Sequence, residues 1–169
     1  MTPPTTPLPP TCDLCDRHKA DISGAFRVLP PPWLDFGGLA AFQGEVSTVQ
    51  CFEDNSRVKD AVESPGHGRV LVVDGGGSLR RALLGGNLAA AAAKNGWAGL
   101  VIHGAVRDRA ELRQALTGIK ALASVPMATE RRGEGRRDLP IAIHGIAIRP
   151  GDWLVADEDG IVVLASAPA

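Results

Sequence analysis

The chain has 169 residues, 44% of them hydrophobic, and a formal net charge of -1, which together indicate one globular domain with a sizeable core. The near-neutral charge argues against a nucleic-acid partner, and no apolar run approaches the ~20 residues that a membrane span needs. The first residues lack the apolar segment of a signal peptide, so we expect a cytoplasmic protein with no membrane contact.

The first ten residues, MTPPTTPLPP, are rich in proline and predict a disordered or extended segment, so we place the domain at residues 11–169. A short helix, TCDLCDRHKA, is expected to follow with Thr11 as its N-cap. Cys12 and Cys15 form a CxxC motif, which is typical of zinc or redox sites. Because no second pair follows, buried positions on a short helix are the better interpretation.

The middle of the chain alternates between strand and helix patterns. Asn55 and Asn87 are placed to cap two of the helices, and Cys51 falls in an apolar strand. The predicted strands are 44–52, 69–74, 98–104 and 119–126, and the predicted helices are 56–64, 78–84, 88–95 and 107–116.

The last part of the chain differs, because a polar loop at 133–138 leads into short strand patterns joined by turns at 144–145, 150–151 and 159–160. A strand-helix alternation followed by strands alone predicts an α/β fold in which a sheet precedes an antiparallel or barrel-like portion.

A glycine loop follows the strand 69–74, in the sequence VLVVDGGGS. A strand that runs into glycines resembles a nucleotide-binding motif. The loop contains no G-x-G-x-x-G, and no acidic residue closes the next strand, which ends near His103. Tight turning of the backbone is therefore the plainer interpretation, and a histidine at a strand end is expected to be hydrogen-bonded within the fold.

Two polar features follow consecutive predicted strands or open a helix: Gly85-Gly86-Asn87-Leu88, and Arg107-Asp108. Sites in parallel α/β sheets form beyond the carboxyl ends of strands, so both could meet at one edge. A helix N-terminus and a guanidinium favour a carboxylate, and an aspartate suits Mg²⁺ or Mn²⁺. The alternative for Arg107-Asp108 is a solvated helix start.

At these residues the chain resembles the RraA-like family, whose members are called regulators of ribonuclease E activity A or 4-hydroxy-4-methyl-2-oxoglutarate aldolases. The segments that carry the resemblance are CFEDNSRVKDAV, GRVLVVDGGGSLRRALLG, NGWAGLVIHGAVRD, GIKALASVP and RPGDWLVADEDGIVV, within residues 11–164.

The resemblance implies a swivelling β/β/α domain with a mixed or barrel-like β core flanked by helices, assembled as trimers or paired trimers. It implies a divalent-metal-dependent class II aldolase that releases pyruvate from 4-hydroxy-4-methyl-2-oxoglutarate and decarboxylates oxaloacetate, both through a pyruvate enolate. Carried onto this sequence, Arg107 binds substrate and stabilises the enolate, Asp108 binds the metal, and Gly85, Gly86, Asn87 and Leu88 bind the substrate carboxylate.

One departure from the family pattern concerns an aspartate that precedes the Arg-Asp pair with twenty residues between them. That position is Gly86 in this chain, and the neighbouring Asn87 is not a simple replacement. Three functions therefore stay open: an aldolase and decarboxylase with weak turnover, a protein that binds and restrains ribonuclease E, and an oligomer with a vestigial site.

Overall fold

The computed structural model describes residues 7–169, and these form a mixed α/β fold with twelve strands and four helices. The helices are α1 (Thr11–His18), α2 (Ser56–Val62), α3 (Gly86–Lys94) and α4 (Arg109–Leu112). The strands are β1 (Phe26–Leu29), β2 (Leu34–Asp35), β3 (Phe42–Gln50), β4 (Val70–Asp74), β5 (Ala82–Leu84), β6 (Gly99–Val106), β7 (Gly118–Ser124), β8 (Arg136–Arg137), β9 (Ile141–Ile143), β10 (Ile146–Ile148), β11 (Trp153–Ala156) and β12 (Ile161–Leu164).

Ten of these strands form one sheet in which β3, β4, β6 and β7 are parallel neighbours and β5 pairs parallel to β6. The flanking strands β1, β12, β11 and β2 run antiparallel, and β9 with β10 forms a separate hairpin. Over the described residues the main strand order ends at β1 on one side and β2 on the other, so the sheet is open. The predicted mixed α/β class is confirmed, with a mixed sheet rather than a closed barrel.

The parallel centre of the sheet is buried on both faces, which explains the continuous apolar pattern of β4. Leu71 and Val73 pack with helices α2 and α3. Val70 and Val72 point to the opposite face, where the β9–β10 hairpin and β11 cover them. The carboxyl ends of the parallel strands are thereby held at one edge between two packed layers.

The segment 78–84 was expected to be helical, and that prediction was wrong. Ala82–Leu84 is strand β5, with all three residues buried and paired with β6. Leu83 and Leu84 belong to the core that α2 and α3 also contact. Burial against a neighbouring strand therefore overrides the helical propensity of the leucines and arginines in this short stretch.

The predicted helix 107–116 is reduced to the single turn of α4. Leu112 is buried, whereas Ala110 is exposed and Leu116 is 76% exposed, so this turn contributes a single leucine to the core. The helix does not continue, because the Ala115 carbonyl accepts the N–H groups of Gly38 and Thr117 instead of a helical N–H group further along the chain. The predicted loop at 133–138 likewise contains a short strand, β8, that pairs with β3.

The three longer helices begin with a backbone N–H that a carboxylate accepts, although none has the predicted side-chain N-cap. Thr11 and Asn55 were predicted caps for α1 and α2, and Asn87 for α3, and no side-chain cap hydrogen bond forms at any of these helix starts. Carboxylates satisfy the amides instead and complement the helix dipole. The pairs are Asp157 with Thr11, Asp54 with Ser56, and Asp108 with Gly86.

Residues 1–6 of the proline-rich segment lie outside the described residues, and Leu8 is half-buried against the cluster formed by α1 and β12. Cys51 is buried as predicted, and burial, with help from Asp54 and Asp74, raises the pKa of its thiol to about 12. In the described part of the chain, no helix combines the length and apolar character required to cross a bilayer.

Candidate functional site

A cavity of about 380 Å³ opens where β5 and β6 end, beside the first turn of α3. This volume is at the lower end of the range for small-molecule sites. The residues that line it are Asn55, Ala82, Gly85, Asn87, Leu88, Arg107, Asp108, Ala128, Thr129 and Arg131.

Most of the site residues predicted from the sequence line this one cavity. Gly85, Asn87 and Leu88 come from the start of α3, and Arg107 and Asp108 follow β6. Gly86 is buried and is not among the lining residues. The expected meeting of the two segments at one sheet edge is therefore present, while the roles of these residues in binding stay predictions.

Hydrogen bonds join the residues that follow β6 to the end of β5 and to the start of α3. The Arg107 N–H donates to Leu84 O at 2.9 Å, and the Asp108 Oδ2 atom accepts the Gly86 N–H at 2.9 Å. Asp108 has φ 61°, a left-handed conformation that aspartate tolerates better than most residues. This turn aims the Asp108 carboxylate back at the helix start and fixes Arg107 beside it.

The first turn of α3 supplies backbone donors to the cavity. The first hydrogen bond within the helix runs from Ala89 N–H to Gly85 O at 3.0 Å, so the amides of Asn87 and Leu88 precede it and have no acceptor within the helix. Both residues line the cavity. Free amides at the positive end of a helix favour a carboxylate there.

The surroundings of Gly85 and Gly86 leave no room for a side chain at either position. A Cβ on Gly85 would lie 2.8 Å from Asp108 Oδ2. A Cβ on Gly86 would overlap the carboxylate of Glu111. The missing side chains therefore make room for two acidic groups of the turn and helix that follow β6.

Glu111 was not among the predicted site residues, although a sequence signal for it exists. It lies four residues after Arg107 and three after Asp108, and residues with this spacing share a face once a helical turn forms. The turn of α4 brings the Glu111 carboxylate over Gly86, the position at which the family pattern has an aspartate. The α4 turn therefore places a carboxylate beside Gly86, although Glu111 is not among the residues that line the cavity.

A second group that sequence reasoning missed lies on the other wall of the cavity. Asn55 Oδ1 accepts hydrogen bonds from the Thr129 hydroxyl at 2.8 Å and from Arg131 Nε at 3.0 Å. The Asn55 amide donates to Leu83 O at 3.1 Å, next to the end of β5. No local pattern connects Asn55 with residues more than seventy positions away, so only the tertiary structure could reveal this group.

The segment that carries Arg131 is fixed by the neighbouring Asp54, which is fully buried. The Asp54 carboxylate accepts N–H bonds from Arg132 at 2.7 Å, Glu134 at 3.2 Å and Ser56 at 2.9 Å. Burial opposes ionisation of Asp54, but the hydrogen bonds from Ser56, Arg132 and Glu134 prevail and lower its pKa to about 2. Asp54 therefore remains a charged anchor across the ordinary pH range.

The acidic groups near the cavity suit a hard divalent cation. Asp108 and Glu111 both place carboxylate oxygens at the Gly85–Gly86 backbone. Among residues 7–169, no three His, Cys, Asp or Glu side chains are grouped as a metal site would require. Mg²⁺ is often held by only one or two protein carboxylates, with water and substrate oxygens completing its shell, so two carboxylates fit this ion.

The other candidates from the sequence lie outside this cavity. Gly76 and Gly77 have positive φ and pack against Phe52 and His103, as expected for a tightly turned loop. His103 lies within β6, and its buried Nδ1 atom has no hydrogen-bond partner in the described residues, so the prediction of a hydrogen-bonded histidine was wrong. Burial and the nearby His144 lower the pKa of His103, against the opposing effect of Asp74.

The CxxC pair also lies away from the cavity. Cys12 is exposed, so the predicted buried position was wrong for this residue. Its thiol donates to Asp159 Oδ2 at 3.5 Å, and this contact, with the charge of Asp159, raises the pKa of the Cys12 thiol. Cys15 is only partly exposed, and burial raises the pKa of its thiol. A raised pKa disfavours the thiolate that metal binding and redox chemistry require.

The fold and this edge cavity define a mixed α/β protein with a polar site beyond the carboxyl ends of its parallel strands. The family model described as "RraA-like: Aldolase/RraA" matches residues 11–163. The chain therefore belongs to the RraA-like family, as the resemblance in its sequence predicted.

Two curated relatives carry the provisional name 4-hydroxy-4-methyl-2-oxoglutarate aldolase. One, from Albidiferax ferrireducens, is 65% identical over 168 residues that cover 95% of this chain and 97% of the relative. Another, from Alkalilimnicola ehrlichii, is 56% identical over 154 residues that cover 91% and 93% of the two chains.

Two solved structures have nearly the same fold. The RNA-processing inhibitor RraA from Thermus thermophilis has a TM-score of 0.89 and 46% identity, with 95% of each chain covered. A protein from Geobacillus kaustophilus, named as an S-adenosylmethionine:2-dimethylmenaquinone methyltransferase, has a TM-score of 0.86 and 40% identity, with 94% of this chain and 96% of that chain covered.

Proposed function

We propose that this chain is a cytoplasmic, divalent-metal-dependent aldolase that cleaves 4-hydroxy-4-methyl-2-oxoglutarate to two pyruvates and also decarboxylates oxaloacetate. The observation that carries the proposal is the single cavity shared by Arg107, Asp108 and the first turn of α3. The names of the relatives from two genera support the substrate.

Both reactions break a bond to the carbon next to a keto group. The bonding electrons stay on that carbon and spread to the keto oxygen as an enolate, which a proton then converts to pyruvate. Arg107 donates hydrogen bonds to the developing oxygen charge, and the amides of Asn87 and Leu88 hold the adjacent carboxylate. Asp108 would hold the Mg²⁺ or Mn²⁺ ion, with the Glu111 carboxylate available to its bound waters, and the Lewis acidity of the ion would further polarise the keto group.

Glu111 supports the proposal despite the glycine at position 86. In the aldol cleavage the proton of the substrate 4-hydroxyl must leave, and a carboxylate near the cavity can accept it directly or through a water molecule. The Glu111 carboxylate lies over Gly86, at the start of the helix that also binds substrate. We assign to Glu111 the part that the aspartate plays in the family pattern.

The test measures pyruvate release from both substrates with and without Mg²⁺, with a protein-free Mg²⁺ control because the free ion also decarboxylates oxaloacetate. Arg107→Ala is expected to lower kcat by about 10²- to 10³-fold, the usual loss for one group that stabilises an oxyanion. Arg109→Ala is the matched control, since its guanidinium lies over the Phe36 ring, 5.4 Å from the ring centroid. Protein-dependent turnover that Arg107→Ala leaves unchanged would refute the proposed role.

A second candidate function is restraint of ribonuclease E, and the likeness to an RNA-processing inhibitor favours it. The proposal requires a protein-binding surface rather than the cavity. Titration of the purified chain into a ribonuclease E cleavage assay tests it, with Arg107→Ala as a variant that should inhibit as well as the wild type. Absence of inhibition at micromolar protein would exclude a direct effect.

We further infer a trimer or a pair of trimers, as the family resemblance implies. Several large apolar side chains are exposed on the described chain, and burial in an assembly would remove them from water. They include Phe52, Leu79, Leu116 and Met127, each at least 50% exposed. Light scattering of the purified protein measures the mass directly, and a monomer at micromolar concentration would contradict the inference.

A further inference from the structure

We infer that Arg131, held by Asn55, binds the second carboxylate of a dicarboxylic 2-oxo acid and thereby selects such substrates over their monocarboxylic analogues. The inference rests on the proposed function, which accounts for the binding of the first carboxylate and the keto group. It adds Arg131 to that site and explains how the site would select its substrates. Its basis is the position of Arg131 on the cavity wall, together with Asn55 and Thr129.

The hydrogen bonds of Arg131 leave most of its guanidinium available. Nε donates to Asn55 Oδ1 at 3.0 Å, and no other described residue accepts a hydrogen bond from this side chain. The two terminal nitrogens therefore keep their donors, which match the geometry of a carboxylate. A side chain fixed at Nε loses less freedom when it binds than an unrestrained arginine would.

Asn55 is the positioning residue for this guanidinium. Its amide nitrogen donates to Leu83 O, and its oxygen accepts from both Thr129 and Arg131, so all three contacts agree on one amide orientation. The backbone after Arg131 is tied down separately by the buried Asp54 through the Arg132 N–H. Arg131 and the residue after it are therefore both hydrogen-bonded to the connection between β3 and α2, which contains Asp54 and Asn55.

The charges of the cavity also favour a ligand with two carboxylates. The charged residues that line it are Arg107, Asp108 and Arg131, with a sum of +1 before any cation binds. Arg107 and the α3 amides account for one carboxylate of the ligand. Arg131 is the remaining cation among the described lining residues, and a volume of about 380 Å³ accommodates a five- or six-carbon diacid.

The experiment compares 2-oxoglutarate, which ends in a second carboxylate, with 2-oxopentanoate, which ends in a methyl group instead. Neither compound can undergo the aldol cleavage, so binding is measured without turnover. Calorimetric Kd values are measured for the whole protein in Mg²⁺. We expect the wild type to bind 2-oxoglutarate about tenfold more tightly than 2-oxopentanoate. This factor is at the low end of what charge-assisted hydrogen bonds contribute to binding, because Arg131 is exposed. In Arg131→Ala the preference should disappear, and in Arg131→Lys it should be partly retained.

Arg132→Ala is the matched control. The Arg132 side chain is exposed, pairs with Glu134 at 3.3 Å and is not among the residues that line the cavity. This variant should keep the wild-type preference. A second readout is the kinetics of 4-hydroxy-4-methyl-2-oxoglutarate, for which Arg131→Ala should raise KM about tenfold with a smaller change in kcat.

Deuterium exchange into the methyl group of pyruvate separates the two proposals, because it needs enolate formation but no second carboxylate. If the wild type catalyses Mg²⁺-dependent exchange and Arg131→Ala keeps the wild-type preference for 2-oxoglutarate, the role of Arg131 is overturned and the proposed function stands. If the wild type catalyses no exchange, the proposed function fails, and the assignment of Arg131 to its substrate fails with it.

Discussion

Replacement of Gly86 by alanine should reduce activity strongly while leaving stability almost unchanged. An ideal Cβ at this position would lie 2.9 Å from Glu111 Cβ and 2.7 Å from its carboxyl carbon, so the Glu111 side chain must rotate and α4 must shift slightly. Rotation into a strained rotamer costs about 0.5–1.5 kcal/mol. Gly86 is the first residue of α3, where alanine in place of glycine contributes at most the ~0.5–1 kcal/mol found in helix interiors.

The two effects nearly cancel, so the free energy of unfolding in urea should change by less than about 1 kcal/mol. Displacement of a functional carboxylate by about 1 Å can cost about 10²-fold in rate, and we expect this loss in kcat/KM for pyruvate release. Calorimetry should show weaker Mg²⁺ binding in the same variant.

A double-mutant cycle decides whether the effect passes through Glu111. In an E111A background the added Cβ has no carboxylate to displace, so Gly86→Ala should then change kcat/KM by less than about twofold. A further loss of about 10²-fold in that background would refute the argument. The doubly changed G86D/E111A protein should regain activity over E111A, because it restores a carboxylate near the same place.

Two further predictions concern the stability of the fold. A Cβ on Gly99 would overlap the buried Phe42 ring, so Gly99→Ala should lower the free energy of unfolding in urea by about 1–3 kcal/mol, and Phe42→Leu in that background should recover part of it. If Gly99→Ala is as stable as the wild type, the packing argument is wrong. The Asp54 pKa is lowered from 3.8 to about 2, so its ionised form stabilises the fold above about pH 4 and this contribution is lost as pH falls toward 2. The loss should amount to about 2 kcal/mol relative to Asp54→Asn, and equal acid sensitivity of the two proteins in urea titrations from pH 4 to 2 would contradict it.

Several elements of this fold could be predicted from the sequence because their signal is local. The continuous apolar run of β4 identifies a strand buried on both faces, and the turns of the C-terminal part follow from glycine and its neighbours. The prediction failed for β5 because a three-residue strand is too short to show a period of two. Its burial against β6 depends on a neighbour that lies about twenty residues further along the chain.

The family, the strand β6 that leads to Arg107-Asp108, and the two segments at Gly85–Leu88 and Arg107-Asp108 could all be identified from the sequence. These are local patterns, and parallel strands bring their carboxyl ends to one edge whatever the details of packing. The folded structure was needed to show that Glu111 lies over Gly86, that Asn55 fixes Arg131, and that carboxylates distant in sequence accept the first N–H groups of α1 and α3. Such contacts depend on how the whole chain folds. The type of one residue does not identify the distant residue that it will contact.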